Sequence, residues 1–302
     1  MNDEKQVLEE LEQLKKKASV WTACTVICFI LVFASFMIGR LNIGVAAVPM
    51  FAIIVICGIL AGKKNKEYQA YYKEHVVKNM TLDECEFLED INFDPNLGIA
   101  CSEIEDLGVL RCDEYSSNDL ITATYKGVAF RQSDVHMVDV TTDSKGNRSE
   151  STVFRGRWLV FDFNKDFNWN LELISKGFYS ARRIGGVLSF GQTKTERVKL
   201  EDETFNKTFK VYAENEHEAF YILTPHIMQS LLKLREDLKA PILLVFSGGR
   251  LHIGVYNGKD AFEGKIFGKI DIEAEKARML EDLKLITNFV DELSLERDIY
   301  KH

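Results

Sequence analysis

Between Leu200 and His226 the chain reads LEDETFNKTFKVYAENEHEAFYILTPH, with six acidic residues and two histidines set among aromatic and aliphatic positions. Carboxylates and imidazoles are the side chains that move protons or hold metal ions, so Glu201, Asp202, Glu218, His217 and His226 are the candidate site residues. Acid and base work needs two carboxyls whose surroundings push their pKa values apart, and sequence does not display burial. A shared metal needs both histidines on one side of an element. His217 and His226 are nine residues apart, which on one unbroken helix, at about 100° per residue, sets them on opposite sides. Only a break such as Pro225 would bring them together.

A structural reading accounts for more of the stretch. Asn215 followed three residues later by Glu218 is a capping-box pattern, and Glu216 and Glu218 suit the positive end of a helix dipole. Thr224 before Pro225 is a second helix start, with Thr as cap and Pro at the first helical position. Glu201 and Asp202 are left over, since no cap explains them at this level. Elsewhere the chain has no GxGxxG, Walker loop, GxSxG, HExxH or paired CxxC. No catalytic, cofactor-binding or metal-ligating residue is assigned, and no cofactor is expected.

The elements that must position these residues begin with two apolar runs. Residues 18–39 (ASVWTACTVICFILVFASFMIG) and 41–62 (LNIGVAAVPMFAIIVICGILAG) carry no acid, base or histidine. A helix of about 20 apolar residues spans the hydrocarbon core of a bilayer. The pair reads as a two-span transmembrane hairpin over 18–62, and Pro49 is tolerated there. The length of the first run, the position of Lys15–Lys17 and the second span argue against a signal peptide. Lys15, Lys16 and Lys17 precede the first run and Lys63, Lys64 and Lys66 follow the second, with Arg40 alone between them. Both termini are therefore expected on the cytoplasmic side of a bacterial inner membrane, with the bilayer as the partner of residues 18–62.

Residues 1–17 form an amphipathic helix whose stripe is Val7, Leu11, Leu14 and, with the next residue, Ala18; residues 63–92 form a helical stalk; residues 93–302 form a cytosolic domain. From residue 63 onward 33 Lys and Arg face 41 Asp and Glu, which argues against a nucleic-acid partner. Cys85, Cys101 and Cys112 are scattered without metal spacing, as expected of reduced thiols.

The domain reads as a mixed, mainly antiparallel sheet with packed helices and a long C-terminal helix, an α+β fold behind the transmembrane hairpin. Residues 121–125, the turn Lys126-Gly127, residues 128–131 and residues 135–141 form a meander, and 143–152 a polar loop. Leu159, Phe161 and Phe163 alternate with Trp158, Val160 and Asp162 in a strand expected to be half-buried. Residues 184–190 are a further strand, and 242–246 with 251–256 make a hairpin around Ser247-Gly248-Gly249-Arg250. From 271 to 296 a helix carries Ile272, Met279, Leu283, Ile286, Val290 and Leu293 on one face, at heptad spacing from Met279 on, packed on its own sheet or paired with a second copy or with the N-terminal stripe.

The run VKLEDETFNKTFKVYAENEHEAFYILTPHIMQSLLKL resembles the signature of a bacterial family, domain of unknown function 3137. The matching positions include Val198, Leu200, Glu201, Asp202, Phe205, Phe209, Val211, Tyr212, Glu218, Ala219, Tyr221, Thr224 and Pro225. FRGRWLVFDFNKDF (154–167) is similar to the family's glycine-aromatic strand, and Phe220 departs from the basic residue that members often carry. The resemblance implies a membrane-anchored envelope protein and transfers no catalytic residue. The expected function is a membrane-anchored cytosolic binding or scaffold module, with a membrane or envelope protein or a second copy of the chain as partner. The alternative is a membrane-associated hydrolase of a lipid or envelope precursor, its acids among Glu201, Asp202 and Glu218.

Overall fold

In the computed structural model, residues 2–37, 47–83, 85–162, 170–178, 196–293 and 295 are described. The chain divides into two compact units, Met1–Glu84 with Phe262–Met279, and Cys85–Ala261 with Leu280–His302.

In the first unit, the amphipathic start and the first apolar run form one helix, α1 (Asn2–Met37). The second run continues without a break into a polar segment, α2 (Ala47–Tyr72). The two are antiparallel, because the Tyr71 hydroxyl near the end of α2 donates to Glu10 Oε2 near the start of α1 at 3.0 Å. The expected stripe is used inside the unit: Leu11 and Ala18 are fully buried, and Val7 and Leu14 half-buried. Farther along α1 the pattern inverts, and Val26, Ile27, Phe29, Ile30, Leu31 and Phe33 are 52–63% exposed.

Among the described residues one helical stretch, Lys5–Ala34, is long and apolar enough to cross a membrane. This is coarser than the expected hairpin. Residues 41–46 of the second run lie outside the described residues, and the remaining sixteen, 47–62, fall short of the roughly 20 a span needs.

The expected stalk also ends early. α2 passes into a ten-residue π-helical segment, Lys73–Leu82, where the Thr81 hydroxyl donates to the Val76 carbonyl five residues back at 2.8 Å. Residues 89–92, expected to be helical, open the first strand, β1 (Glu89–Asp94). The segment 262–279, placed by sequence in the sheet domain, is strapped to α2 instead. The Gln69 amide donates to the Gly264 carbonyl and accepts from the Gly264 N–H, both at 2.8 Å. A Cβ at Gly264 would meet the Tyr68 hydroxyl at 2.8 Å and the Tyr72 ring at 2.9 Å, so only glycine fits this close approach.

The second unit is an antiparallel sheet with helices, an α+β arrangement. Its remaining strands are β2 (Glu114–Tyr125), β3 (Val128–Thr142), β4 (Arg148–Asp162), β5 (Leu171–Ser175), β6 (Glu196–Val198), β7 (Phe209–Ala213), β8 (Ile242–Ser247) and β9 (Arg250–Val255). The order is β1-β2-β3-β4-β9-β8-β5-β7-β6, and every described pair is antiparallel. Both expected two-residue turns are present, with positive φ at Lys126 and Gly127 and at Gly248 and Gly249, as primed hairpin turns require.

Three expectations change. Residues 128–131 and 135–141 are one strand, β3, with Gln132, Ser133 and Asp134 buried in its middle. The 143–152 loop shrinks to a turn, since Asp143 Oδ1 accepts from the Lys145 and Asn147 N–H groups at 2.8 Å and β4 resumes at Arg148. β4 is covered on both faces rather than half-buried: Trp158, Leu159, Val160 and Phe161 are all at most 1% exposed. Phe163 and residues 184–190 lie outside the described residues.

One face carries α6 (Pro225–Leu238) and the part of α7 (Ile272–Glu292) that follows Met279. Phe161 meets Phe289 with ring centroids 6.4 Å apart, and the Ser230 hydroxyl donates to Glu292 at 3.1 Å. The other face buries Trp158, Phe154, Val135 and Met137 with Ile104 of α3 (Cys101–Glu105). The heptad positions Met279, Leu283, Ile286, Val290 and Leu293 are all buried inside the chain.

Candidate functional site

The acidic stretch that drew attention in sequence resolves into helix starts. Asp202 caps α4 (Glu203–Thr208), accepting from the Phe205 N–H at 2.9 Å, so a cap does explain it. Glu201 is exposed beside it. Asn215 caps α5 (Glu216–Ile222) by accepting from the His217 N–H at 3.0 Å, and its amide donates to Glu218 Oε1 at 3.3 Å. Burial pushes the Glu218 carboxyl upward, the Asn215 hydrogen bond opposes it, and Glu214 adds to it. Thr224 caps α6 from the Ile227 N–H at 3.4 Å, with Pro225 at the first turn. His217 and His226 are exposed on different helices.

A different set of acids converges in the sheet. Asp119, Asp134 and Asp260 each present a carboxylate oxygen, and these atoms lie within 4.8 Å of one another. Asp119 is fully buried, Asp134 is 5% exposed and Asp260 is half-buried. Each is placed by a different device. Asp134 sits mid-strand in β3, on the face that α7 covers. Asp119 lies in a bulge of β2, where the register with β3 shifts between Asn118 and Ile121, and it holds φ at 59°. Asp260 follows β9 in a loop tied down by the Ala261 N–H, which donates to Asp134 Oδ2 at 2.7 Å.

Charge compensation comes from β4. Arg157 stands opposite Asp134 in the β3–β4 register and reaches Asp282 of α7 at 3.5 Å. Burial pushes the Asp134 carboxyl up to about 8; Arg157 pulls it down, while Asp260 and Asp119 add to the rise. Gln132 lies two residues from Asp134 on the same face of β3. It is fully buried, and among the described residues neither end of its amide has a hydrogen-bond partner. Chemically, the cluster can hold protons or ligate a hard cation through oxygen.

Sequence reasoning missed this site. Its members are spread over more than a hundred residues, and the one local signal was the polar triplet Gln132-Ser133-Asp134 that split a strand in two.

A second gathering joins Cys101, Glu105 and Cys112, whose ligand atoms also lie within 4.8 Å of one another. The Cys112 N–H donates to Glu105 Oε1 at 3.2 Å. Burial raises both thiols, Cys112 to about 12, so they are protonated at neutral pH and weak as nucleophiles. In the first unit a groove of about 590 Å³ is lined by Glu9, Glu12, Lys15, Lys16, Ser19 and Phe267, among others. Lys15 is 7% exposed and its Nζ has no hydrogen-bond partner, while Phe267 is 61% exposed.

Residues 152–295 match the family described as Protein of unknown function (DUF3137). The match covers just under half of the chain. The DUF3137 segment runs from β4 through α7. It contains Arg157 and Asp260, but Asp119, Gln132 and Asp134 precede it. No curated protein matches the chain. Among solved structures, the mycobacterial trehalose monomycolate transport factor A, TtfA, is similar at a TM-score of 0.37 and 8% identity, over 75% of this chain and 94% of that one. A likeness of that degree assigns neither fold nor function to this chain.

Proposed function

We propose that this protein is a membrane-anchored binding module of the bacterial envelope, held by a hairpin of two spans with both termini in the cytoplasm. The observation that carries the reading is the apolar surface of α1 and α2. Large side chains from Val26 to Phe33 and from Phe51 to Ile59 stay 42–69% exposed on a helix pair with a bilayer's chemistry. Lys15–Lys17 and Lys63, Lys64 and Lys66 flank the two runs on one side, against Arg40 on the other. The Lys15 groove includes Ser19, in the first turn of the first span, so exposed Phe267 and the neighbouring lysines fall at the level of the lipid headgroups, where such side chains are favoured.

The test is full-length expression in bacteria with a fluorescent reporter that matures only in the cytoplasm, fused to either terminus. Both fusions are expected to fluoresce and to stay in the membrane through alkaline carbonate extraction. A dark fusion at one terminus, or release by carbonate, would overturn the reading.

A further inference from the structure

We infer that Asp119, Asp134 and Asp260, with the amide oxygen of Gln132, form a binding site for one hard divalent cation of the magnesium, calcium or manganese class. The inference concerns the second unit alone and is independent of how the chain is anchored.

Charge favours a cation here. Three carboxylates gather within 4.8 Å, and Arg157, opposite Asp134 in register, also reaches Asp282. Two of the three are buried, and carboxylates crowded into one buried site oppose each other's ionisation. A divalent cation favours the ionised form of all three and replaces the water that the carboxylates lost. Gln132 points the same way. Its cross-strand neighbours on this face are Ile121 and Leu159, and the residue before it on the face is Phe130, all apolar. Its polar neighbours by register are Asp134, next on the same face, and the Asp119 bulge, which falls between the rows of Gln132 and Asp134. A fully buried amide without a partner is costly in a dry sheet and is satisfied as an oxygen ligand. Asp260 Oδ1 is likewise buried without a hydrogen-bond partner. Donor type sets the class of cation. Carboxylate and amide oxygens, without sulfur or imidazole, select hard cations over zinc or copper.

The experiment uses the full chain in detergent micelles, stripped with EDTA and titrated with Mn²⁺ while the free-ion electron paramagnetic resonance signal is followed. One saturable site per chain is expected, competed by Mg²⁺ or Ca²⁺, with a rise in the thermal midpoint that Na⁺ at equal ionic strength does not produce. Asp134→Asn and Asp119→Asn are expected to weaken binding by about tenfold or more, in the range that loss of a ligand or its support produces. Because those residues are buried, Asp260→Asn and Gln132→Leu serve as the second pair: half-buried Asp260 loses one ligand charge, and leucine preserves the volume of Gln132. Both are expected to keep the wild-type circular dichroism and lose affinity by a similar factor. Absence of a saturable site, or a site whose affinity is unchanged in Asp260→Asn and Gln132→Leu, would overturn the inference and leave protons as the cluster's occupants.

Discussion

His252 shows how much a single buried position can govern. It lies in β9, is 3% exposed, and the Trp158 indole N–H points at its Nδ1 from 3.5 Å. Burial depresses its pKa to about 4, the neighbouring Glu103 opposing the shift and Arg250 and Arg131 adding to it. The unfolded chain therefore binds a proton between pH 6.5 and 4 that the folded chain refuses, and the neutral histidine's contribution is present above 6.5 and lost as pH falls toward 4. Relative to His252→Gln, which cannot titrate, the wild type should lose about 3 kcal/mol between pH 7 and pH 4. Denaturant midpoints of the two proteins across that range check it; parallel profiles would show that His252 is protonated without cost. No feature of the sequence around Leu251-His252-Ile253 announces this, because burial of one imidazole depends on which strands flank it. The helix caps are the opposite case. Asn215, Thr224 and Pro225 act within three residues of themselves, and local pattern found them. Asp202 was missed only because α4 is six residues long and leaves little periodicity to mark its start.

At the scale of elements, α7 was legible and its partner was not. Heptad spacing from Met279 to Leu293 specifies one apolar face, and the same face suits a sheet or a second copy equally well. The fold decides for the sheet, with Leu283 at 1% exposure and Phe289 against Phe161. Leu283→Ala should accordingly destabilise the protein by about 2–5 kcal/mol through the cavity it leaves, with no change in particle mass in detergent. A lowered mass at unchanged stability would assign that face to oligomerisation. β3 and β4 teach the complementary lesson. Alternation predicts one wet face, whereas β4 is sealed on both, by α7 on one side and the α3 layer on the other. The polar triplet in β3 interrupted the strand signal because strand preference and site chemistry conflict at the same three residues.

For the whole molecule, the unexpected feature is that a segment distant in sequence completes the N-terminal unit. Phe262–Met279 is held by the Gln69–Gly264 pair of hydrogen bonds, by the Tyr68 hydroxyl donating to the Lys265 carbonyl at 3.0 Å, and by the contact of Tyr72 with Glu275 at 3.4 Å. A chain beginning at Cys85 removes all of these partners. Hydrogen exchange should then find residues 262–271 unprotected while β8 and β9 remain protected; retained protection would mean that the strap holds itself. Taken alone, the sequence determined what depends on neighbours along the chain: apolar runs of membrane length, flanking lysines, two primed hairpins, the caps and the amphipathic faces. Tertiary structure alone decided what depends on pairing across distance: which strands are sealed on both faces, where 262–279 belongs, and the meeting of Asp119, Asp134 and Asp260. Each of those carboxylates looks like an ordinary surface acid until the β2 bulge, the β3 register and the loop after β9 converge, because burial and proximity belong to the fold rather than to any one segment.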